Sequence, residues 1–279
     1  MQRRRSRGKR DVGKWRREND VGGEAGRAMV TGMKHIAFVG LVAAGWMGIS
    51  AAIAQAPAVE NVMKPTVAAA HFVNVAAFDF RALLPEPPVA GSLAAESDLM
   101  AVRRAQAERT PEQVAWAKLV ERDAVFNNAS VLGAWFEKEK LPRTAEFFQQ
   151  IGDDLRAMDG ASKKPFLRAR PTVVDPGLQP CVAVPASTSY PSGSAMQAFV
   201  WAELLAEAWP AKRGELLERA ERAAWGRVIG GVHFPSDLVG GKRLAGVFLA
   251  EARKSAEFRA GLEACREELV ARAGVGLTR

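Results

Sequence analysis

A histidine flanked by an arginine and an aspartate carries the most specific chemical signal in this sequence. Arg227 lies six residues before His233, and Asp237 lies four residues after it. Pro235 suits the first position of a helix, because its missing N–H is not needed there. Asp237 then falls in the first turn, where its carboxylate can orient the imidazole and support a positive charge on it. Since arginine matches a phosphoryl group, the pattern predicts a histidine nucleophile in phosphoryl transfer. The competing interpretation is a buried structural histidine whose aspartate caps a helix.

Two further segments carry groups that bind anions. Lys163 and Arg170 place two cations seven residues apart, just before a proline. Farther along, a Pro-Ser-Gly sequence precedes a long apolar stretch. If a helix begins there, the amide of Gly193 and the hydroxyl of Ser192 would face an anion. Each segment alone is ordinary, because clustered cations usually face solvent and Pro-Ser-Gly is a common loop sequence.

Taken together, the three segments resemble the signature of the type 2 phosphatidic-acid phosphatase and vanadium haloperoxidase superfamily. Their order is Lys-x6-Arg-Pro, then Pro-Ser-Gly, then Arg-x5-His-x3-Asp. The Tyr-Pro-Ser-Gly context and the Leu-Pro-x-Pro-Pro segment are most similar to the class A bacterial non-specific acid phosphatases. The resemblance runs from about Phe78 to Leu269 and implies a single all-α domain.

The resemblance also implies a role for each matching residue. His233 would attack phosphorus in line and give a phosphohistidine, while Asp237 would hold its ring. The groups that would bind the phosphoryl oxygens are Lys163, Arg170, Arg227, the Ser192 hydroxyl and the Gly193 amide. Cations that surround the transition state usually supply the largest share of the rate. Neither a metal nor another cofactor is implied.

The sequence departs from the family pattern at two positions. Ser194 stands where the family has a histidine that protonates the leaving oxygen and later activates water. Serine has no useful pKa for either task, and acid–base help is typically worth ~10²–10⁴-fold. We therefore expect slow hydrolysis of alkyl esters and less impairment on aryl phosphates, acyl phosphates and anhydrides. Another group, such as a carboxylate that the sequence does not identify, could take this role, and His71 is a remote candidate. Gly226 replaces a serine that usually precedes the arginine, and this loss is expected to matter less.

Three other functions compete with a phosphatase of small phosphorylated substrates. A non-catalytic phosphate-binding homologue would keep the cations, but it would not need the pair of His233 and Asp237. A vanadate-dependent haloperoxidase could use the same cradle, although the chain is short for one. A membrane lipid phosphatase is disfavoured because no further apolar stretch approaches the ~20 residues that a spanning helix needs. Nucleic-acid binding is not predicted, and a homo-oligomer is left open.

The first 54 residues are predicted to be a leader. Residues 1–32 are basic and are interpreted as an extension or a misassigned start, and residues 33–54 as a secretory signal peptide. The latter has a basic beginning, an apolar run and a small-x-small site ending at Ala54. A transmembrane anchor and an RNA-binding arm are the alternatives. The prediction implies a periplasmic or secreted protein.

The basic charge of the chain belongs to this leader. The formal net charge is +8, yet residues 1–54 hold 11 Lys and Arg against 4 Asp and Glu, and the remainder holds 28 against 27. The charge is therefore no argument for binding of nucleic acid by the rest of the chain. Cys181 and Cys265 could pair in an oxidising compartment or remain free thiols. Their number and spacing do not suggest a zinc site.

The remaining sequence predicts a bundle of seven to nine helices. Residues 55–77 are expected to be a flexible lead-in, and residues 78–279 to form the all-α domain, with a proline-rich segment lying across its surface. No convincing alternating strand pattern is present. Periodicity and helix-start signals predict helices over residues 97–109, 110–126, 129–138, 142–160, 196–209, 214–228, 238–253 and 258–273.

Overall fold

The computed structural model describes residues 70–276, and within this range all the regular structure is helical. Five single-turn 3₁₀ helices lie between the α-helices or ahead of them. The α-helices are α1 (Phe80–Leu83), α2 (Leu93–Glu108), α3 (Pro111–Leu119), α4 (Ala129–Leu132), α5 (Pro142–Lys163), α6 (Pro171–Val174), α7 (Gly193–Ala208), α8 (Arg213–Ile229), α9 (Pro235–Ala252) and α10 (Ala256–Gly276). The prediction of an all-α fold is confirmed.

Helix α7 is the centre of the body, and α5, α8, α9 and α10 pack around it. Its sequence is apolar on nearly every side, which is the pattern of a helix buried all round. Leu204 and Leu205 are completely buried, and Phe199 and Trp201 nearly so. Burial of each such side chain contributes roughly 1.5–3 kcal/mol to folding. This core fixes the start of α7, where Gly193 and Ser194 lie.

The part of the predicted lead-in that the structure describes packs against α5. The backbone N–H groups of His71, Phe72 and Val73 donate to the Asp154 carboxylate at 2.8, 2.7 and 3.1 Å. The Phe72 ring contacts Phe147, and Val73 is fully buried. Packing of the helical body therefore includes residues upstream of position 78. The predicted extension, signal peptide and upstream lead-in (residues 1–69) lie outside the described residues.

The proline-rich segment, residues 78–91, crosses the body beside the Pro-Ser-Gly loop. The Tyr190 hydroxyl donates to the Pro85 carbonyl at 2.7 Å, and Arg243 of α9 donates to the Leu83 carbonyl at 2.9 Å. Tyr190 is 1% exposed, and the peptide bond that links it to Pro191 is cis. The segment thus holds the loop that precedes α7.

Some predicted helix boundaries were wrong. The helix predicted over 129–138 is only α4, because Gly133 adopts a φ of 103° that ends it. The helix predicted to reach Phe126 ends at Leu119, and a 3₁₀ turn follows. In contrast, α5 continues past Gly160 to Lys163, because burial of its last turn outweighs the low helix propensity of glycine. This extension puts Lys163 on a helix rather than in a loop.

Two further features bear on the sequence predictions. Among residues 70–276, no helix is long and apolar enough to cross a membrane. Cys181 and Cys265 are free thiols rather than a disulfide, and Cys265 is buried. Burial raises the pKa of the Cys265 thiol to about 11, so it is a protonated, unreactive group at neutral pH.

Candidate active site

A cavity of about 230 Å³ opens beside the start of α7. It brings together the end of α5, the segments before α6 and α7, and the residue just ahead of α9. Five of the predicted site residues line it, namely Lys163, Arg170, Gly193, Ser194 and His233. Residues distant in sequence therefore converge on one small, polar space.

His233 and Asp237 form the predicted pair. The His233 Nδ1 atom lies 3.2 Å from Asp237 Oδ2, and both side chains are buried. An ionised carboxylate only accepts hydrogen bonds, so Nδ1 carries the proton and Nε2 keeps its lone pair. Nε2 lies 3.2 Å from Nη1 of Arg170, which also lines the cavity. The imidazole therefore presents its nucleophilic nitrogen beside a cation.

Burial sets the protonation of this pair. It lowers the pKa of His233 to about 4, despite the opposing effect of Asp237. Burial alone would raise the pKa of Asp237, but the hydrogen bond and charge of His233, together with Arg168 and Ser189, lower it to about 2. At neutral pH the histidine is thus neutral and the aspartate ionised. This is the state that a histidine nucleophile requires.

A second arginine, Arg168, binds the carboxylate oxygen of Asp237 that does not face His233. Its Nη1 atom donates to Asp237 Oδ1 at 2.6 Å, and its Nη2 atom donates to Asp98 Oδ2 of α2 at 2.7 Å. The guanidinium also stacks on the Phe234 ring, 4.2 Å from its centroid. The Ser189 hydroxyl donates to Asp237 Oδ2 at 2.5 Å. These contacts fix the carboxylate, and through it the ring of the histidine.

Arg168, Ser189 and Asp98 were not among the predicted site residues. Arg168 lies between Lys163 and Arg170, and Ser189 lies two residues before the Pro-Ser-Gly sequence, so their position was a usable signal. Asp98 is on a distant helix and no spacing pattern connects it to the site. Only the packing of α2 beside α9 reveals its part.

Arg227 is buried and has donors that lack partners, but it is not one of the residues that line the cavity. The residue is 3% exposed, and its Nε and Nη1 atoms have no hydrogen-bond partner among the described residues. Burial lowers the pKa of the Arg170 guanidinium, Asp237 opposes this shift, and the charge of Arg227 adds to it. Burial also lowers the pKa of Arg227 itself, yet arginine keeps its charge in proteins. Buried, unpaired N–H groups of a cation are costly, which suits a place where an anion binds.

The Pro-Ser-Gly loop begins α7 as predicted. The Ser192 hydroxyl accepts a hydrogen bond from the Ala195 N–H at 3.3 Å, so this side chain caps the helix. The first N–H groups of a helix have no partners within it. Gly193 and Ser194, which line the cavity, supply two of them. This end of α7 therefore offers both backbone donors and the positive end of the helix dipole.

The cavity also contains a carboxylate that the sequence analysis missed. Asp159 of α5 lines it, and its Oδ1 atom lies 2.9 Å from Lys163 Nζ, which also donates to the Pro191 carbonyl. A Cβ atom added to Gly193 would lie only 2.1 Å from the same oxygen. Asp159 precedes Lys163 by four residues, a spacing that pairs charges on a helix. The signal was hidden because the helix was predicted to end at Gly160.

Other predicted positions are accounted for by packing. Gly226 is required because a Cβ atom there would lie 2.8 Å from Val120 Cγ2. This close approach of α8 to the chain after α3 explains the missing serine. His71 does not line the cavity, and its ring lies 3.4 Å from Asp153 instead. Among the described residues, no cluster of three or more His, Cys, Asp or Glu side chains is arranged to hold a metal ion.

Among the described residues, an all-helical body thus holds a histidine–aspartate pair beside a cationic cavity. Residues 155–259 match the family model of the PAP2 superfamily, and every predicted site residue lies within this match. This stretch of the chain is therefore similar to the PAP2 superfamily domain.

Curated relatives agree with this assignment. A non-specific acid phosphatase of Providencia stuartii is 26% identical over 211 residues, which cover 71% of this chain and 84% of that protein. A non-specific acid phosphatase of Salmonella typhi is 30% identical over 149 residues, covering 50% of this chain and 58% of that protein. The predicted resemblance to non-specific acid phosphatases is confirmed, whereas membership of class A stays a prediction.

A solved structure is also similar to this chain. It is a transmembrane PAP2-type phosphatidylglycerolphosphate phosphatase from Bacillus subtilis, 21% identical, with a TM-score of 0.40. The similarity covers 59% of this chain and 87% of that one.

Proposed function

We propose that this protein is an acid phosphatase that hydrolyses small phosphate monoesters through a phosphohistidine on His233. One observation carries the proposal. The His233 ring is held by Asp237 at 3.2 Å while its other nitrogen lies 3.2 Å from Arg170 at the cavity. Binding of phosphate alone would not need an oriented, neutral imidazole. The relatives named as non-specific acid phosphatases support the same activity.

The cations bind and activate the phosphoryl group. Lys163 and Arg170 line the cavity, and Arg227 is a buried cation with unpaired donors whose charge acts on Arg170. The amide of Gly193, at the start of α7, adds a backbone donor, while the Ser192 hydroxyl caps that helix. Burial lowers the pKa of Lys163, and the adjacent Asp159 opposes this effect. In a cavity of low dielectric these charges stabilise the transition state more strongly than they would in water.

The nucleophilic step uses the lone pair of His233 Nε2. A bond forms between Nε2 and phosphorus as the bond from phosphorus to the leaving oxygen breaks. The imidazole then carries positive charge, which the Asp237 carboxylate stabilises through the Nδ1 proton. Water subsequently attacks the phosphohistidine, releases inorganic phosphate and returns the neutral ring.

Ser194 affects the departure of the leaving group. It lines the cavity at the second residue of α7, and its hydroxyl is too weak an acid to protonate an alkoxide. Substrates whose leaving groups are stable as anions depend less on such a proton. We therefore propose a preference for aryl phosphates, acyl phosphates and anhydrides over simple alkyl phosphates.

The basic and apolar leader supports a periplasmic or secreted location, and no nucleic-acid partner is proposed. The proposed reaction uses only the substrate, water and the protein's own groups. The substrates proposed are small phosphorylated molecules, whose phosphoryl group would occupy the cavity of about 230 Å³.

Trapping of the intermediate tests the proposal. The purified full chain is mixed with p-nitrophenyl phosphate at mildly acidic pH and quenched in alkali, where phosphohistidine survives. The expected result is a phosphoryl group bound to the wild-type protein and none bound to His233→Ala. His71→Ala is the matched control, because that histidine does not line the cavity, and it should label normally. Turnover that persists in His233→Ala would refute the proposed nucleophile.

A further inference from the structure

Asp159 is the carboxylate in the cavity beside the serine that replaces the family's acid. Of the described residues that line the cavity, it alone carries a carboxylate, and His233 is the only imidazole among them. The imidazole is already assigned as the nucleophile. The remaining lining groups are cationic, apolar, amide or hydroxyl, and the cations Lys163 and Arg170 are already assigned to bind the phosphoryl group.

The geometry places this carboxylate against the start of α7. Its Oδ1 atom is so close to Gly193 that a Cβ atom there would lie 2.1 Å away. Ser194 is the next residue, so the carboxylate is next to the position from which the family's histidine would project. Oδ1 is buried, whereas the side chain as a whole is 33% exposed. The exposed part of the side chain therefore belongs to its other atoms.

Charged neighbours hold the carboxylate in this position. Lys163 Nζ lies 2.9 Å from Oδ1, and Arg156 and Arg170 line the same cavity, with His233 across it. A phosphate dianion that enters the cavity would engage these cations. It would also repel an ionised Asp159, because two like charges within a few ångströms disfavour each other.

We propose that Asp159 is the general acid and base of this site, and this inference rests on the proposed function. In the first step the carboxylic proton passes to the leaving oxygen as the bond from phosphorus to that oxygen breaks and the bond from Nε2 to phosphorus forms. The alcohol leaves, and Asp159 is ionised. In the second step Asp159 takes a proton from water as the water oxygen bonds to phosphorus. The phosphohistidine bond breaks, phosphate leaves, and the acid is restored.

A competing role for Asp159 is purely electrostatic. In this role Asp159 would do no more than keep the Lys163 amine charged, because it opposes the effect of burial on the Lys163 pKa. Loss of such a role would weaken phosphate binding for every substrate alike. Loss of an acid is different, because the effect depends on the leaving group. Alkyl phosphates would suffer strongly and p-nitrophenyl phosphate only weakly.

The test compares leaving groups in Asp159→Asn, a substitution that keeps size and hydrogen bonding but removes the exchangeable proton. The full chain is assayed on ethyl phosphate and p-nitrophenyl phosphate, with inhibition by inorganic phosphate as a measure of binding. We expect kcat/KM to fall by about 10²-fold on ethyl phosphate and by less than about tenfold on the aryl ester. Inhibition by phosphate should change by only a few-fold. Glu146→Gln, on the exposed side of α5, is the control that should change neither.

Two further variants keep the test decisive. Asp159→Glu keeps the acid and should retain more alkyl activity than Asp159→Asn. Adding Ser194→His to Asp159→Asn should restore turnover of ethyl phosphate, which also shows that the variant is folded. Equal losses on both esters, or no loss, would overturn this inference while leaving the phosphatase proposal intact. Absence of turnover that depends on His233 in the wild type would overturn both.

Discussion

The close contact between α9 and the loop ahead of α7 makes Gly241 a sensitive position. A Cβ atom there would lie 2.3 Å from the Ser192 carbonyl oxygen, 2.9 Å from Ala195 Cβ and 3.1 Å from the Met196 nitrogen. Two of these three atoms belong to the backbone, so a side-chain rotation cannot relieve the clash. The substitution Gly241→Ala must therefore push α9 away from the start of α7.

Two opposing effects decide how Gly241→Ala changes the free energy of unfolding relative to the wild type. Alanine is favoured over glycine inside a helix by roughly 1 kcal/mol, whereas forcing an extra carbon into a packed interface costs about 1–3 kcal/mol. Gly246 lies on the same helix with no atom within 4 Å of an added Cβ. Gly246→Ala therefore gains the higher helix propensity of alanine without a clash. We expect Gly246→Ala to stabilise the protein by roughly 0.5–1 kcal/mol. We expect Gly241→Ala to be less stable than Gly246→Ala by about 1–3 kcal/mol.

Urea denaturation followed by far-ultraviolet circular dichroism measures both variants. Turnover of p-nitrophenyl phosphate adds a functional readout, because displacement of Ser192 moves the adjacent amide of Gly193. The activity of Gly241→Ala should fall, while that of Gly246→Ala should match the wild type. If Gly241→Ala proves as stable as Gly246→Ala, α9 is not in contact with the Pro-Ser-Gly loop, and the geometry of the site is wrong.

Three further outcomes are expected. Ser194→His should raise turnover of an alkyl phosphate, and an unchanged rate would show that the serine does not limit the wild type. Because burial lowers the His233 pKa from 6.5 to about 4, the unfolded state binds more protons in this range. Stability should fall by up to about 3 kcal/mol as pH drops from about 6.5 to 4, and His233→Gln should lack that part of the slope in urea titrations at each pH. Asp123→Ala leaves the buried Arg219, now paired at 2.7 and 2.9 Å, without its counter-charge and should cost about 3–5 kcal/mol. Adding Arg219→Met should recover much of this loss in thermal melts, and a double variant no more stable than the single one would contradict the explanation.

Much of the site was predictable because its parts carry local signals. The spacing of His233, Pro235 and Asp237 predicted both a helix start and a bonded pair, and the structure has a helix beginning at Pro235 with the pair in contact. The capping box at Thr110 likewise predicted the start of α3. Such features depend on a few neighbouring residues and elementary backbone chemistry.

What the sequence did not reveal depends on contacts between distant segments. Asp98 reaches Arg168 only because α2 packs beside α9. Asp159 faces Gly193 only because α5 continues beyond Gly160, where tertiary burial outweighs helix propensity. The short α4 ends at a glycine with positive φ, a conformation that the flanking residues alone did not indicate. No single-sequence pattern records these pairings.

The link between Asp98 and Arg168 sets a lower limit on the functional unit. The family match begins at residue 155, so a chain trimmed to that match would retain every residue predicted to act on phosphate. It would nevertheless lose α2, and with it the carboxylate that shares the Arg168 guanidinium with Asp237. The Arg168 guanidinium now pairs with both Asp98 and Asp237. If Asp98 were removed, Arg168 would be paired with Asp237 alone. The part of the chain whose charges balance around Asp237 therefore extends upstream of the family match, as far as α2.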